Sequence, residues 1–228
     1  MRNAQWKGNG ELEMKKEKTY PLPLTPFHLN GVRIFLVSLA AVLILMTGSV
    51  KASDAEFLLN NAELNSTSTG ADYCDEIVWQ TLAQITNDDM TTYEKVSACY
   101  DYLVNTCTYG DNVLRLDFPE ANGTARAYGM LVGHVGACDD YSCAFAALTR
   151  AIGLNCYTVY GQTARADGGY TGHIWCVIAI DGVEYVFDPQ IDDNIGASNY
   201  YRFCVTYDET PGSYYDSEVR WGYFEPLY

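Results

Sequence analysis

The chain has 228 residues, of which 48% are hydrophobic and 19% charged, and its formal net charge is −15. This composition excludes an intrinsically disordered chain and allows one domain with a substantial core, or at most two small ones. Seven basic and three acidic side chains fall in residues 1–52, which leaves seven basic and 26 acidic side chains, a charge of −19, for residues 53–228. With Lys95 as the only lysine of that stretch, there is no cationic cluster to bind phosphate, so nucleic acid and anionic membrane surfaces are not expected partners. A peptide or another neutral or cationic polymer suits the charge, which would equally serve to keep a secreted protein soluble.

Residues 34–46, IFLVSLAAVLILM, form an uncharged apolar run of 13 behind Arg33. A membrane span needs about 20 residues, so this run reads as the core of a secretory signal. Val50-Lys51-Ala52 places small residues where a signal peptidase reads, so residues 1–52 are expected to be the signal peptide; an uncleaved N-terminal membrane anchor is the alternative. Met14-Lys15-Lys16-Glu17-Lys18 reads as a more ordinary signal start, which makes Met14 a candidate first residue. The expected location is therefore secreted or cell-surface, with no membrane association after cleavage. The eight cysteines, at 74, 99, 107, 138, 143, 156, 176 and 204, all lie beyond the signal. Export permits disulfides and an even count is compatible with four, but if Cys138 is free at least one other must be.

Residues 53–70 are rich in Asn, Ser, Thr and Gly and read as a linker or a loosely docked N-terminal arm, with a domain over 71–228. Cys74, Ile77, Val78, Leu82 and Ile85 recur at helical spacing over 72–86, and Tyr93, Val96, Tyr100, Leu103 and Val104 predict a second helix from Thr92 to Thr106. Thr91 or Thr92 caps it, with Glu94 in the first turn. Residues 110–124 read as a loop, and the apolar stretch 127–132 leads into GHVGACDDYSCAF at 133–145. From Cys138, a stripe of Tyr141, Ala144, Phe145, Leu148 and Ile152 predicts a helix ended by Gly153. Cys138 then sits where peptide dipoles favour a thiolate, while Asp139 and Asp140 oppose it, so a nearby cation is required.

Residues 173–188, HIWCVIAIDGVEYVFD, alternate around Asp181-Gly182, the signal for a hairpin with a two-residue turn. Pairing outward from Ile180 and Val183 sets Trp175 opposite Asp188. His173 shares a strand face with Trp175, so Asp188 is its diagonal neighbour and within side-chain reach. Ile174, Cys176, Ile178 and Ile180 form the core face with Val183, Tyr185 and Phe187, leaving His173 and Asp188 on a more polar one. His134 reads as a loop residue. The tyrosines at 200, 201, 207, 214, 215, 223 and 228 belong either to half-buried strands or to an aromatic shelf for glycan or peptide. By spacing alone Cys138 is equally a disulfide or buried helix cysteine, and His173 a satisfied sheet histidine. No CxxC or HExxH spacing supports a metal site, and no cofactor is expected.

AYGMLVGHVGACDDYSCAFAALTRAIGL, GHIWCVIAIDGVEYVFDPQIDD and TTYEKVSACYDYLVNTCTYG, three ordered blocks, resemble the nucleophile segment, the histidine hairpin and the preceding helix of the transglutaminase-like superfamily of papain-fold cysteine enzymes, in its secreted bacterial branch. The resemblance implies an α+β fold with helices packed on an antiparallel sheet and the nucleophile at the N-terminus of the central helix. It also implies a Cys138-His173-Asp188 triad acting by thiol-dependent acyl transfer on peptide amides. The backbone N–H of Cys138 is the expected oxyanion donor, with Tyr128 as its partner and Trp175 lining the acyl site. The family pattern usually has Gly and Ala at the positions of Asp140 and Ser142, Asn at Cys176 and Thr at Gln190, which touches substrate fit rather than the triad. The implied activity is that of a cysteine peptidase or amidase, with hydrolysis favoured over transfer to an amine as in a transglutaminase. The substrate would be a peptide or protein, cell-wall associated in a bacterial setting. The alternative is a catalytically silent module binding peptide or cell-wall glycan.

Overall fold

Asp181 and Gly182 both take positive φ, 51° and 79°, the backbone of a two-residue hairpin turn that a Gly and an Asp tolerate. Around them β6 (Tyr170–Ile180) pairs antiparallel with β7 (Val183–Phe187) from Ile180 opposite Val183 out to Cys176 opposite Phe187, the register expected from the sequence. This computed structural model describes residues 4–6, 12–14, 54–110, 123–196, 201–216 and 223–227. The expected signal core at 34–46, most of the expected loop at 110–124, and Tyr200 and Tyr228 lie outside the described residues. The chain divides into two units, Met1–Thr47 and Gly48–Tyr228. In the first, β1 (Ala4–Trp6) pairs antiparallel with β2 (Leu12–Met14).

In the second unit, β6 sits at the centre of a five-stranded antiparallel sheet, in the order β8, β7, β6, β5, β9. Here β5 is Cys156–Ala164, β8 is Phe203–Val205 and β9 is Tyr214–Asp216. Against one face pack α2 (Asp72–Ile85), α3 (Thr92–Thr106), α4 (Gly123–Gly133) and α5 (Cys138–Ile152), in a core that includes Cys176, Ile178, Ile180 and Phe187. A short α6 (Pro189–Ile195) follows the hairpin, and β3 (Thr108–Tyr109) pairs in parallel with β4 (Val135–Gly136). The α+β architecture, helices on an antiparallel sheet, is the expected one. The helix from Thr92 to Thr106 is closed by a full capping box: Glu94 N–H donates to Thr91 Oγ1 and Thr91 N–H donates to Glu94 Oε2.

Three features differ from expectation. The apolar stretch 127–132 is the middle of α4. Every residue of α5 from Asp140 to Ala151 is buried, so the helix is enclosed all round rather than striped. Its small residues Ala146, Ala147 and Ala151 let neighbours approach on the sides the stripe leaves open. The opposite face of the hairpin, expected to be the more polar, holds a second core of Tyr157, Val159, Trp175, Val177 and Val186, covered by Val205, Tyr207 and Tyr214. Of the two readings of the tyrosine-rich stretch, half-buried packing therefore describes Tyr207 and Tyr214, while Tyr201 is exposed.

The arm at 53–70 is docked rather than loose. Residues 54–61 are helical, which we label α1, and Leu59 is fully buried. Asn65 N–H donates to the Gly153 carbonyl at 2.7 Å and Ser66 Oγ to that of Ala151 at 2.7 Å, closing the otherwise unpaired end of α5. The chain also passes close over Gly153, where a Cβ would stand 3.0 Å from that of Leu64. Truncating Leu59 to Ala is expected to cost about 3 kcal/mol of stability, as for other buried leucines, read as a lower urea midpoint; a dangling arm would leave the midpoint unmoved.

Candidate active site

Cys138 opens α5 and His173 lies near the start of β6, so the site depends on how that helix meets that strand. Ser142, one turn along from Cys138, donates from Oγ to the Ile174 carbonyl at 2.9 Å, and Cys176 donates from Sγ to the Ser142 carbonyl at 3.0 Å. Ser142 and Cys176 are both buried. Cys138 remains partly exposed and is a hydrogen-bonding and charge partner of the His173 imidazole.

His173 is 4% exposed, and its Nε2 lies 2.7 Å from Asp188 Oδ2. Asp188 follows β7 and caps α6, with Oδ1 accepting from the Ile191 N–H at 3.2 Å. Its Oδ2 also accepts from the Tyr214 hydroxyl at 2.9 Å. Asp188 has no exposed surface, and a carboxylate is tolerated there because both oxygens are engaged. With Nε2 held by Asp188, Nδ1 is the ring nitrogen left for another partner. The diagonal relation between His173 and Asp188 expected from the hairpin register is thus a direct contact.

Burial opposes charge on His173, but the Asp188 carboxylate outweighs it through charge and hydrogen bond, with Cys138 adding to the effect, and raises the imidazole to about 10. Tyr214 is pushed well above its ordinary range by burial and then by Asp188, so it stays a neutral donor. Trp175, expected to line the acyl site, has no exposed surface. Its ring stacks on His173 at a centroid distance of 6.1 Å and lies tilted by 47° against Tyr214 at 4.8 Å, and its Nε1–H donates to the Tyr207 hydroxyl at 3.0 Å. It therefore supports the imidazole instead of meeting a ligand. Tyr128 lies on α4, edge-on to Tyr73 of α2 at 5.2 Å. His134 joins α4 to β4 at φ 56°, its Nδ1 4.0 Å from Cys107 Sγ.

Besides His173, the cation expected to offset Asp139 and Asp140, a second cation reaches the two aspartates from α4. Arg126 Nη1 pairs with Asp139 and stands 3.4 Å from Asp140 Oδ1, and its guanidinium lies over the Tyr223 ring at 4.5 Å. Asp140 folds back so that Oδ2 accepts from the Ala137 N–H at 2.9 Å. Gly136 makes room for it: a Cβ there would stand 2.5 Å from the Asp140 Cβ and 2.8 Å from Met130 Sδ. Nothing in the local pattern around TARAYG marks Arg126. Tyr214 and Tyr223 stand out in the sequence only as members of a tyrosine-rich stretch.

All eight cysteines are free thiols, so the four-bridge framework is not formed. The seven other than Cys138 are buried. Burial pushes Cys74 and Cys107 up to about 11 and Cys204 to about 12, which keeps those sulfurs protonated and unreactive. Among the described residues no group of His, Cys, Asp or Glu side chains is arranged to hold a metal ion.

A histidine whose pKa is raised on folding adds stability that is fully present below its unfolded value of about 6.5. That contribution is lost as the pH rises through the folded value of about 10. His173 is accordingly expected to hold protons on both ring nitrogens at pH 7 and to titrate near 10 in an ¹⁵N-edited NMR series. In Asp188→Asn, where burial is no longer outweighed by a carboxylate, the same resonances should titrate several units lower.

Residues 80–189 match the family model described as the transglutaminase-like superfamily, a stretch that holds Cys138, His173 and Asp188. Among solved structures, the chain is similar to a candidate cysteine protease of Cytophaga hutchinsonii, at 19% identity over 52% of this chain and 39% of that one, with a TM-score of 0.38. It is also similar to a structure described as a TGase, at 18% identity over 57% of this chain and 33% of that one, with a TM-score of 0.35. The chain thus spans well under half the length of either. No curated protein matches it.

Proposed function

We propose that the chain is a thiol-dependent acyl-transfer enzyme in which Cys138, His173 and Asp188 act as a catalytic triad on peptide amides, a reading supported by the match of residues 80–189 to the transglutaminase-like superfamily model. The observation that carries this reading is the buried His173–Asp188 pair at 2.7 Å, turned toward the partly exposed thiol at the head of α5. A carboxylate holding Nε2 orients the ring and sustains its positive charge, which is the task of the third member of such a triad.

The steps follow from that geometry. The thiol proton rests on His173, which holds protons on both ring nitrogens, and the Cys138 thiolate adds to the amide carbonyl carbon. The oxyanion receives a hydrogen bond from the backbone N–H of Cys138, at the start of the helix. As the C–N bond breaks, His173 passes its proton to the departing amine, leaving a thioester on Cys138. A water then adds while His173 takes one of its protons, and cleavage of the C–S bond releases the acid and leaves the sulfur anion paired again with the protonated His173. Water is the proposed acceptor, which makes the enzyme a peptidase or amidase; an amine in the same place would yield a crosslink. The apolar run at 34–46 with Val50-Lys51-Ala52 supports export, and the charge of −19 on residues 53–228 supports a peptide or protein substrate over a polyanion.

The test is the pH dependence of iodoacetamide labelling, read peptide by peptide by mass spectrometry. Cys138 is expected to label well below the ordinary thiol value of about 8.5 and to lose that behaviour in His173→Ala. Release of ammonia or amine from peptide amides should fall about 10³-fold or more in Cys138→Ala, and incorporation of a fluorescent primary amine separates the two acceptors. A Cys138 that labels only near 8.5, whether or not His173 is present, overturns the enzyme reading in favour of a binding module.

A further inference from the structure

The acyl-transfer reading, on which the inference rests, places a nucleophilic sulfur directly before two aspartates. The charged and titratable groups around the head of α5, which Cys138 opens, come from several elements. His173 from β6 is backed by Asp188 and Tyr214. Asp139 and Asp140 belong to its own helix, and Arg126 from α4 meets both, with Tyr223 beneath the guanidinium. Two carboxylates beside a sulfur disfavour its anionic form, and the helix N-terminus offsets only about half a charge.

The protonated His173 is one cation at the sulfur, and Arg126 is built to supply a second beside the aspartates. The Arg126 and Asp139 side chains are 13% and 15% exposed and that of Asp140 is wholly buried, so solvent screens the cluster weakly. Asp140 cannot swing away, since Oδ2 is committed to the Ala137 N–H and Gly136 closes over it. The Tyr223 ring face holds the guanidinium from below, which fixes its position without adding a competing anion. Asp140 and Asp139 are thus retained beside the site as members of one ion cluster rather than as free negative charges.

We propose that Arg126 is a positioning residue for the chemistry at Cys138: by gathering Asp139 and Asp140 into one buried ion cluster, it cancels their charge at the sulfur and so permits a nucleophile in a setting that would otherwise suppress it. An arginine that merely tied α4 to α5 would affect stability and leave the behaviour of the sulfur untouched.

The experiment is the pH profile of Cys138 alkylation by iodoacetamide in the intact protein, for the wild type, Arg126→Met, Asp139→Asn and the double variant. The Arg126→Met midpoint should rise by about one pH unit, which slows labelling about tenfold at pH values below it. Asp139→Asn should lower the midpoint, and the double variant should return close to the wild type. Arg126→Lys, which keeps the charge but not the planar fork, should recover part of the shift. Midpoints that stay at the wild-type value in both single variants overturn the proposal. If Arg126→Met does not fold, Asp139→Asn decides alone, and an unmoved midpoint there has the same force. A wild-type Cys138 that labels only near 8.5 and ignores His173→Ala is a separate result, and it removes the acyl-transfer reading itself.

Discussion

The arrangement depends on the two hydrogen bonds that fasten α5 to β6, Ser142 Oγ to the Ile174 carbonyl and Cys176 Sγ to the Ser142 carbonyl. They cross between the first turns of the helix and the strand segment that begins at His173, so they set where Cys138 stands along the imidazole. A slip of one helical turn would carry the sulfur about 5.4 Å along the axis, beyond contact with the ring. Ser142 and Cys176 are both buried, and the small hydroxyl and the thiol at these facing positions form a polar link between helix and strand.

A second constraint fixes the acid. Asp188 is the N-cap of α6, so its side chain can be no better placed than that short helix. α6 is held by two buried tyrosines: Tyr100 donates to Asp192 Oδ2 at 2.7 Å and Tyr141 donates to Asp193 Oδ2 at 2.6 Å. Burial keeps both phenols protonated, with the neighbouring carboxylates acting in the same direction. Tyr141 lies on the helix that Cys138 opens, so the nucleophile helix and the helix capped by Asp188 are joined directly as well as through the sheet. The aromatic ring beneath the imidazole, Trp175, is anchored in turn by Tyr207. Packing, capping and hydrogen bonding thus converge on the orientation of one ring.

The parts legible in the sequence are those governed by local chemistry. A two-residue Asp-Gly turn dictates register, and register dictates that His173 and Asp188 meet. The ends of α2 and α3 follow from periodicity and from the Thr91 and Glu94 capping pair. Parts governed by chemistry between distant segments were not legible. Arg126 carries no motif, and its partners lie 13 and 14 residues away on another helix. The polar composition of 53–70 masks the one leucine that matters, Leu59, and the use of Asn65 and Ser66 to close the end of α5. Trp175 read as a ligand-facing aromatic because the cover of its strand face, Tyr207 and Tyr214, comes from a stretch whose pattern did not show where it would pack.

The closing segment 223–227 is bound to the domain through β5: Tyr223 and Phe224 N–H groups donate to Thr158 Oγ1, Asn155 exchanges two hydrogen bonds with Leu227, and Arg150 donates to the Glu225 carbonyl. In this way the ring that carries Arg126 is delivered by a segment that follows the sulfur, its base and the acid along the chain. A ribosome threads the sulfur out first, then its base, then the acid and its phenol, and then the support for the arginine. Until residues 223–227 have been made, the two aspartates beside the thiol therefore meet an arginine whose aromatic support is still missing.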